Sequence, residues 1–473
     1  MTFPSTPVLA AGIIADGPRQ PLTDPAHGTV FHEAATVSAG RIDACVRAAR
    51  TAFEKDWRDV TPSQRAALLH KLADLIERNA EVIGEAETRS MGKPISASIG
   101  EAKGGAGCFR YYAGAIAHLS GETIPVSRGG LDITLRQPLG VVACIVPWNF
   151  PFAIACWKVA PALAAGNCVL LKPASLSPLG AMVLGELARE AGIPDGVLQV
   201  LPGAGSALGD ALVTHPLVRK VSFTGSTEIG SHVMKLAAAD LTRVSLELGG
   251  KSPNIVFSDA DLEKAADSAP WSVFDNTGQD CCARSRILVQ RPADRDFAER
   301  FTAAMAAMKV GDPMDPATEL GPLVTARQRD ISEDYIARAR AAGRTVHGGS
   351  RPGGAGWFLN PALILDCAAE DAWWNDEIFG PVASLRAFDD EATAIGEAND
   401  TPYGLSGSIW TRDLQRAVRV SRQVEAGVIS INCHNSVHTE APFGGFKQSG
   451  LGRDLGMASL HGYTELKNIY FAP

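Results

Sequence analysis

Residues 139–171 read LGVVACIVPWNFPFAIACWKVAPALAAGNCVLL and form the longest apolar stretch of the chain. The stretch is long enough to cross a bilayer, but prolines, asparagines and one lysine interrupt it. These residues are Pro147, Asn149, Pro151, Lys158, Pro161 and Asn167. The stretch is therefore better explained as a buried strand, a turn and a buried helix, followed by the next strand, and it predicts no membrane association.

The same alternation of apolar strands and helices continues outward from this stretch. The predicted strands are Val141–Val146, Cys168–Leu171, Leu198–Leu201, Val221–Phe223 and Val244–Leu248. A second series of strands and helices begins near Asn254 and runs to about Ile431. Near-continuous apolar strands that alternate with helices predict parallel sheets covered on both faces, so the fold class is α/β.

The regions before this alternation are different in character. The first 40 residues are rich in proline and glycine and predict an irregular arm with a short strand pair. Helical periodicity begins at Arg41, and a capping box at Thr61-Pro-Ser-Gln64 begins a second helix with proline at its first position. A further helix is predicted from Ala97 to Leu119.

Residues 120–138 contain several glycines around short alternating stretches, which is typical of an exposed β-ribbon. Exposed ribbons often join subunits, although a surface hairpin without a partner is the alternative. Glu465–Phe471, near the end of the chain, is a short strand candidate that we expect to pair with the ribbon of a neighbouring chain.

Length and composition limit the possible functions. A chain of 473 residues, 46% hydrophobic and 20% charged, predicts an ordinary globular protein of two or three domains. The net charge of −8 argues against nucleic acid and anionic membranes as partners. Nine cysteines, without a CxxC pair or a secretory signal pattern, predict a reducing cytoplasm.

The candidate nucleophiles lie in residues 274–286, FDNTGQDCCARSR, where Cys281 and Cys282 follow a Gly-Gln turn and precede a β-branched run. A thiol reacts as the thiolate, so it needs a suitable polar environment and partial exposure. The alternative is structural, because free cysteine often packs as a small apolar residue. The residues themselves leave the choice between the two thiols open.

Two polar residues at predicted strand ends are candidates for acid–base and electrostatic roles. Glu247 is the one interior charge of a strand pattern before Gly249-Gly250 and is a candidate base that activates water. Asn149 lies in the turn PWNFP, where its amide could stabilise negative charge on an oxygen. The alternatives are a solvated strand-end acid and a turn or helix-capping asparagine.

Three further segments have features of a nucleotide site. FTGSTEIG, residues 223–230, is a strand, a glycine turn and a helix start, which favours phosphate binding although it is not GxGxxG. Lys172 ends a strand and could hold ribose hydroxyls, or be a solvated charge. EIFGP, residues 377–381, is an acid-aromatic turn. His434 and His438 are four residues apart, but without further ligands nearby we expect no metal site.

Taken together, these segments resemble the aldehyde dehydrogenase superfamily, and the resemblance covers nearly the whole chain. The matching motifs occur in the order that the family has. They are PWNFP (147–151), LKPA (171–174), FTGSTEIG (223–230), LELGGKSPN (246–254), GQDCCA (278–283), EIFGP (377–381) and PFGGFKQSG (442–450).

The resemblance implies a reaction and assigns residues to it. Cys281 would attack the aldehyde, Asn149 and the Cys281 N–H would stabilise the oxyanion, and Glu247 would activate the water that hydrolyses the thioester. NAD, or NADP, would be the cofactor. The residues implied for the cofactor are Trp148, Lys172, Ser175, Gly225, Ser226, Gly230, Leu248, Glu377 and Phe379, and those implied for the substrate pocket are Phe150, Trp157, Asp275, Asp280, Cys282 and Phe443.

The resemblance also implies an architecture. It consists of a Rossmann-type cofactor domain (residues 1–119 and 139–249), an α/β catalytic domain (250–449) and an oligomerisation element (120–138 and 450–473). Such enzymes are homodimers or homotetramers. A coenzyme A-acylating relative is the alternative within enzymes, but its chemistry does not need Glu247. A catalytically silent binding or structural protein on the same fold is the alternative outside enzymes.

Two departures from the family pattern concern specificity. Ser175 replaces a glutamate of many strictly NAD-dependent relatives, so a 2′-phosphate would not be repelled and NADP use is open. Asp275 stands where relatives that act on aliphatic aldehydes often carry an aromatic residue. The sequence Gly-Gln-Asp280-Cys is similar to that of amino-aldehyde dehydrogenases, and the two carboxylates beside an aromatic wall would suit a cationic substrate. The alternative is that Asp280 caps its loop and Asp275 points away or pairs with Arg284.

Overall fold

The structure, a computed structural model, describes residues 3–434 and 437–473. The N-terminal arm forms an antiparallel hairpin of β1 (Gln20–Asp24) and β2 (Thr29–Ala34). Four helices follow: α1 (Ile42–Ala52), α2 (Pro62–Arg78), α3 (Ala80–Met91) and α4 (Ile95–Ala115). The predicted capping box at Thr61 is confirmed, because Thr61 and Gln64 exchange side-chain to backbone hydrogen bonds at the start of α2.

The first parallel sheet contains all five predicted strands. They are β5 (Val141–Ile145), β6 (Cys168–Lys172), β7 (Leu198–Val200), β8 (Val218–Thr224) and β9 (Arg243–Glu247), and they follow β3 (Thr123–Ile124) and β4 (Leu131–Pro138) of the ribbon. The helices between them are α5 (Pro151–Ala164), α6 (Leu179–Ala191), α7 (Gly205–Val213) and α8 (Thr227–Ala237). Residues 139–171 thus form a strand, a turn, a buried helix and a second strand, as predicted.

The order of the parallel strands in this sheet is β9-β8-β5-β6-β7. The chain therefore moves outward from β5 to β7 and then returns to the other side of β5, which creates a topological switch point between β5 and β8. Ligands of open α/β sheets bind beyond the carboxyl ends of the strands at such a point.

The second sheet has seven strands in the order β12-β13-β14-β11-β10-β15-β16, and only the β12–β13 pair is antiparallel. Its strands are β10 (Pro253–Val256), β11 (Arg286–Gln290), β12 (Val346–Gly348), β13 (Ala362–Ile364), β14 (Val382–Phe388), β15 (Ser406–Trp410) and β16 (Val428–Ile431). Its helices are α9 (Leu262–Phe274), α10 (Asp294–Ala307), α11 (Ala326–Ala341), α12 (Ala372–Asn375), α13 (Glu391–Asn399) and α14 (Leu414–Gln423).

The C-terminal segment contributes to two sheets. It contains β17 (Gly450–Leu451), α15 (Gly456–Gly462) and β18 (Thr464–Phe471). β17 pairs antiparallel with β9 at the edge of the first sheet. β18 pairs antiparallel with β4 of the same chain, from Thr464 opposite Pro138 to Phe471 opposite Leu131. The expected pairing with a neighbour's ribbon is therefore corrected, since the chain's own ribbon lies within reach of its C-terminal strand.

The interior is apolar, and its largest cluster of buried side chains surrounds the first sheet. Two further clusters lie on the second sheet. Among the helices of residues 3–434 and 437–473, none combines the length and the apolar character that a membrane span requires.

Candidate active site

Two cavities, of about 550 and 460 Å³, meet at the carboxyl ends of the first sheet. The last residues of β5, β6 and β8 line the larger cavity, and the last residue of β9, Glu247, lines the smaller one. Cys281 and Thr224 line both cavities. Cys281 therefore lies between the two cavities.

The larger cavity, called here the cofactor cavity, contains eight of the nine residues predicted for cofactor binding. They are Trp148, Lys172, Ser175, Gly225, Ser226, Leu248, Glu377 and Phe379. Gly230 does not line it: this residue is buried on α8, where an added Cβ would come within 2.4 Å of the Leu248 side chain. Gly230 thus allows α8 to pack closely on the segment after β9.

The smaller cavity, called here the substrate cavity, contains all six residues predicted for the substrate pocket. They are Phe150, Trp157, Asp275, Asp280, Cys282 and Phe443. The rings of Trp157 and Phe443 pack edge to face, with their centroids 5.5 Å apart. Glu247 lines this cavity, whereas Asn149 lines the cofactor cavity.

The loop that carries Cys281 has a tightly constrained backbone. Asn276 and Thr277 adopt positive φ angles of 50° and 58°. Gly278, at φ +73°, lies so close to Gly380 that an added Cβ would be 2.2 Å from its carbonyl oxygen. The side chain of Asn276 donates to the carbonyl of Asn149 at 2.9 Å, which joins this loop to the turn after β5. Gly278 is therefore required by the close approach to Gly380, and asparagine tolerates the left-handed conformation of residue 276, whereas the β-branched Thr277 is strained there.

Asn149 is buried and directed toward the same loop. Its Nδ2 donates to the carbonyl oxygen of Gln279 at 3.0 Å. This bond uses one of the two N–H groups of the amide, which leaves the second for another acceptor. Asn149 is thus fixed near Cys281 and retains a donor.

Cys281 is partly exposed, whereas Cys282 is buried. The hydrogen bond with the Cys282 thiol, followed by burial, raises the pKa of Cys281 well above its ordinary value. The ligand atoms of Asp280, Cys281 and Cys282 all lie within 4.8 Å of one another. Cys281 is therefore a protonated thiol at neutral pH in this form and needs a proton acceptor to react.

Glu247 is 4% exposed, and neither of its carboxylate oxygens has a hydrogen-bond partner. Burial raises its pKa well above the ordinary value, the charge of Asp454 raises it further, and Lys158 lowers it. Asp454 and Lys158 are both buried and form an ion pair of 2.7 Å, and Lys158 also donates to Ser222 at 3.0 Å. Glu247 lines the same cavity as Cys281, so in its ionised form it is a candidate to accept a proton from a water molecule in that cavity.

The polar groups of the cofactor cavity lie on loops and a helix start. The Ser226 hydroxyl accepts from the Ile229 N–H at 3.4 Å and caps α8. Glu377 accepts from the Gly250 N–H at 3.0 Å, and burial raises its pKa to about 7. Burial lowers the pKa of Lys172 to about 8. The rings of Trp148 and Phe379 pack edge to face at 5.5 Å.

Asp275 and Asp280 both cap the loop and line the substrate cavity, although the sequence presented these as alternatives. Asp275 accepts from the Asn276 N–H at 2.9 Å, and Asp280 accepts from the Cys282 N–H at 2.8 Å, so each caps the loop with one oxygen. Both nevertheless line the cavity, and burial raises the pKa of each carboxyl. The alternative in which Asp275 pairs with Arg284 is wrong, because among the described residues no carboxylate lies within 4 Å of that guanidinium.

Several further residues line the substrate cavity and were not predicted to do so. They are Glu101 on α4, Trp271 on α9, Arg284 and His434 on loops, and Asp454 after β17. Glu101 and Asp454 come from distant parts of the chain and resemble solvated charges in the sequence. The position of Arg284, three residues after Cys281, was the one local signal that could have placed it here.

Comparison with known proteins now identifies the family. The model of the aldehyde dehydrogenase family matches residues 14–469. The chain belongs to the aldehyde dehydrogenase family. An aldehyde dehydrogenase from Emericella nidulans is 44% identical to it over 94% of this chain and 89% of that protein.

Solved structures of aldehyde dehydrogenases agree with this one throughout. An indole-3-acetaldehyde dehydrogenase from P. syringae, in complex with NAD+ and IAA, matches with a TM-score of 0.98 and 40% identity, over 100% of this chain and 97% of that chain. A betaine aldehyde dehydrogenase from Staphylococcus aureus, in complex with NAD+, matches with a TM-score of 0.95 and 35% identity, over 99% and 94%. The fold is thus that of an aldehyde dehydrogenase, and the protein is an NAD(P)-dependent oxidoreductase that oxidises aldehydes.

Proposed function

We propose that this aldehyde dehydrogenase converts an aldehyde to a carboxylic acid through a covalent intermediate on Cys281, which water then hydrolyses. One observation carries the proposal: Cys281 lines both the cofactor cavity and the substrate cavity. A group at this junction can contact an aldehyde on one side and a nicotinamide on the other. Asn149 and the last residues of β5, β6 and β8 line the cofactor cavity, and Glu247 lines the substrate cavity.

The residues of the cofactor cavity fit a dinucleotide. Ser226 and the free N–H groups of the first turn of α8 favour a diphosphate. Lys172 and Glu377 can hold hydroxyl groups of the two riboses. Gly249 lets Glu377 approach the backbone, since an added Cβ would lie 2.0 Å from its Oε2. When bound, NAD(P)+ accepts the hydride that leaves the aldehyde carbon.

The chain's own residues carry the remaining chemistry. The Cys281 thiol gives up its proton to water, and its sulfur bonds to the carbonyl carbon. The second N–H of Asn149 and the Cys281 backbone N–H donate to the resulting oxyanion. Loss of hydride leaves a thioester on Cys281. Glu247 then removes a proton from water as the water oxygen attacks the thioester. The C–S bond breaks, the acid is released, and the proton passes from Glu247 to the Cys281 sulfur. Neither of its carboxylate oxygens has a hydrogen-bond partner within the protein.

The substrate class that we propose is an aldehyde with a positively charged group. Asp275 and Asp280 line the substrate cavity beside Phe150, Trp157 and Phe443, and an acidic, aromatic wall favours an ammonium group by ion pairing and cation–π contact. The betaine aldehyde dehydrogenase of S. aureus is named for a cationic aldehyde and supports this assignment.

We propose NAD as the cofactor and NADP as a usable substitute. Ser175 lines the cofactor cavity, and its hydroxyl donates to the Gly203 carbonyl at 3.2 Å. A neutral side chain at this position does not repel a 2′-phosphate.

We also propose that the protein is a dimer or tetramer in the cytoplasm. The ribbon and β18 expose Leu131, Leu135, Leu466, Tyr470 and Phe471, an apolar set that would be covered between subunits. In this division residues 1–119 and 139–249 bind the cofactor, residues 250–449 carry the nucleophile, and residues 120–138 and 450–473 join subunits. Mass photometry of the native protein tests the subunit number.

The test of the proposed reaction is a pair of cysteine variants. We expect Cys281→Ala to form no NAD(P)H with any aldehyde, and Cys282→Ala to retain turnover. If Cys281→Ala still reduces the cofactor in the presence of aldehyde, the proposed mechanism is wrong.

A further inference from the structure

Arg284 is a buried arginine with unpaired donors in the wall of the substrate cavity. The residue is 5% exposed and lies on the loop between Cys281 and β11. Its Nη1 donates to the Cys282 carbonyl at 3.1 Å, and its backbone N–H donates to the Ser272 carbonyl at 2.9 Å. Its Nε and Nη2 are buried and have no hydrogen-bond partner. Within residues 3–434 and 437–473 no carboxylate pairs with this guanidinium.

The two unpaired nitrogens have a specific geometry. In a guanidinium, the N–H groups of Nε and Nη2 lie side by side along one edge and are parallel, which matches the two oxygens of a carboxylate. The third nitrogen, Nη1, is held by Cys282 and fixes the plane of the group. A buried cation with two unsatisfied donors is unfavourable without a partner. The arrangement is therefore that of a receptor for a carboxylate.

The same cavity is acidic elsewhere. Asp275 and Asp280 line it, and each uses one oxygen to cap the loop. Glu101 lines it from α4 and forms an ion pair with the buried Lys93, and its Oε2 has no partner. His434, next to Arg284, adds no charge at neutral pH, because burial lowers its pKa to about 3. The cavity wall thus holds one unpaired cation and several carboxylates.

We propose that the substrate of this enzyme is a short zwitterionic aldehyde, whose carboxylate binds the Nε and Nη2 edge of Arg284 and whose ammonium group faces Asp275 and Asp280. A purely cationic aldehyde leaves Arg284 unpaired, and a purely anionic one is repelled by the aspartates. An aldehyde with both groups can pair with Arg284 through its carboxylate and with the two aspartates through its ammonium group. The chain is short because Arg284 is anchored to Cys282, the neighbour of the nucleophile. This inference rests on the proposed function, since it assumes that Cys281 attacks an aldehyde in this cavity.

Four aldehydes with one carbon skeleton separate the two charges. They are propanal, 3-aminopropanal, succinic semialdehyde and aspartate semialdehyde, which carry at C3 no charged group, an ammonium, a carboxylate, or both. With NAD+, we expect kcat/KM for aspartate semialdehyde to exceed that for 3-aminopropanal at least tenfold. A wild-type enzyme that oxidises 3-aminopropanal as well as, or better than, aspartate semialdehyde overturns the inference.

Two variants of Arg284 and one of Asp275 show which residue produces each gain, meaning the increase in kcat/KM that a carboxylate or an ammonium group at C3 causes. Arg284→Met removes the charge and should abolish the gain from the carboxylate while the gain from the ammonium persists. Arg284→Lys keeps the charge without the parallel donors and should restore only part of the gain. Asp275→Asn should do the converse and reduce only the gain from the ammonium. If Arg284→Met lowers kcat/KM by the same factor for all four aldehydes, Arg284 is structural and the inference fails.

The outcomes also distinguish this inference from the proposed function. If no aldehyde yields NAD(P)H, the proposed function fails. If propanal and 3-aminopropanal are oxidised through Cys281 but a carboxylate at C3 gives no gain, only the assignment of Arg284 fails. Should the Arg284→Met protein not fold, kcat/KM for the four aldehydes in the wild type and in Arg284→Lys still tests whether Arg284 binds the substrate carboxylate.

Discussion

Replacing Asp454 by asparagine should change both the stability of the protein and the pH dependence of hydrolysis. Asp454 pairs with Lys158 at 2.7 Å, and neither side chain is more than 2% exposed. Removing one charge of a buried pair costs about 3–5 kcal/mol, because the other charge stays buried without compensation. Lys158 retains its 3.0 Å bond to Ser222, and asparagine still offers an oxygen. We therefore expect a loss near the lower end, about 3 kcal/mol.

The same substitution should make Glu247 more acidic. Burial is the main cause of the raised pKa of Glu247, the charge of Asp454 adds to it, and Lys158 opposes it. In Asp454→Asn one raising contribution disappears, and Lys158 no longer has a carboxylate partner, so both changes lower the pKa. Glu247 accepts a proton only when it is ionised. The rise of the hydrolysis rate with increasing pH should then occur at least about one pH unit lower than in the wild type.

Two measurements check this prediction. Thermal melting should show a decrease of roughly 6–12 °C, for a cooperative unit of 150–250 residues and a loss of about 3 kcal/mol. The pH profile of kcat from pH 5 to 10 gives the second quantity. Asp259→Asn is a matched control, because Asp259 pairs with Arg416 at 2.8 Å but is about one-third exposed. That variant should lose no more than about 1 kcal/mol and keep the wild-type profile.

A double variant separates the two effects. Lys158→Met combined with Asp454→Leu removes both charges and should recover much of the lost melting temperature, since apolar residues of similar size often replace a buried ion pair without loss. If Asp454→Asn melts lower as expected but its profile coincides with that of the wild type, Glu247 is not the group that the profile reports.

Three further predictions concern separate parts of the molecule. Burial raises the pKa of Glu87 from its ordinary value of 4.5 to about 8. Between pH 4.5 and 8 the folded protein therefore keeps a proton that the unfolded chain has released, and the free energy of unfolding decreases as the pH rises through this range. Glu87→Gln keeps the acceptor for the Phe152 N–H and should flatten the decrease of melting temperature from pH 5 to 8, whereas a decrease as steep as in the wild type contradicts the assignment. Asn149→Ala should lower kcat about 10²–10³-fold by stopped-flow or steady-state assay, and a loss under threefold would exclude it as an oxyanion donor. Ser175→Glu should decrease kcat/KM for NADP+ at least about tenfold and leave that for NAD+ within a factor of about three, as charge repulsion acts only on the 2′-phosphate.

The sequence predicts the fold well where a local pattern determines it. Apolar strands that end in a polar residue place Lys172 and Glu247 at the edge of the first sheet, and both lie there. The capping box at Thr61 and the glycine turn before α8 are likewise encoded within a few residues. The positions of Cys281, Glu247 and Asn149 around one junction follow from the family motifs, and their catalytic roles stay predictions.

The features that were not predicted depend on contacts between distant segments. Lys158 and Asp454 are 296 residues apart, and no local pattern shows that both are buried as a pair. β18 was expected to reach a neighbour's ribbon, but its pairing with β4 depends on where the chain ends in space. Arg284 was considered as a partner of Asp275, and only the three-dimensional arrangement shows that its Nε and Nη2 lack partners.

The covalent intermediate is the most direct test of the proposed mechanism. Glu247→Gln, incubated with NAD+ and propanal and examined by intact-protein and peptide mass spectrometry, should accumulate one acyl group per chain on Cys281, after a single turnover of NADH formation. Cys281→Ala in the same background should carry none. Continuous NADH formation by Glu247→Gln at the wild-type rate, or an acyl group on Cys282 instead of Cys281, would contradict the proposal.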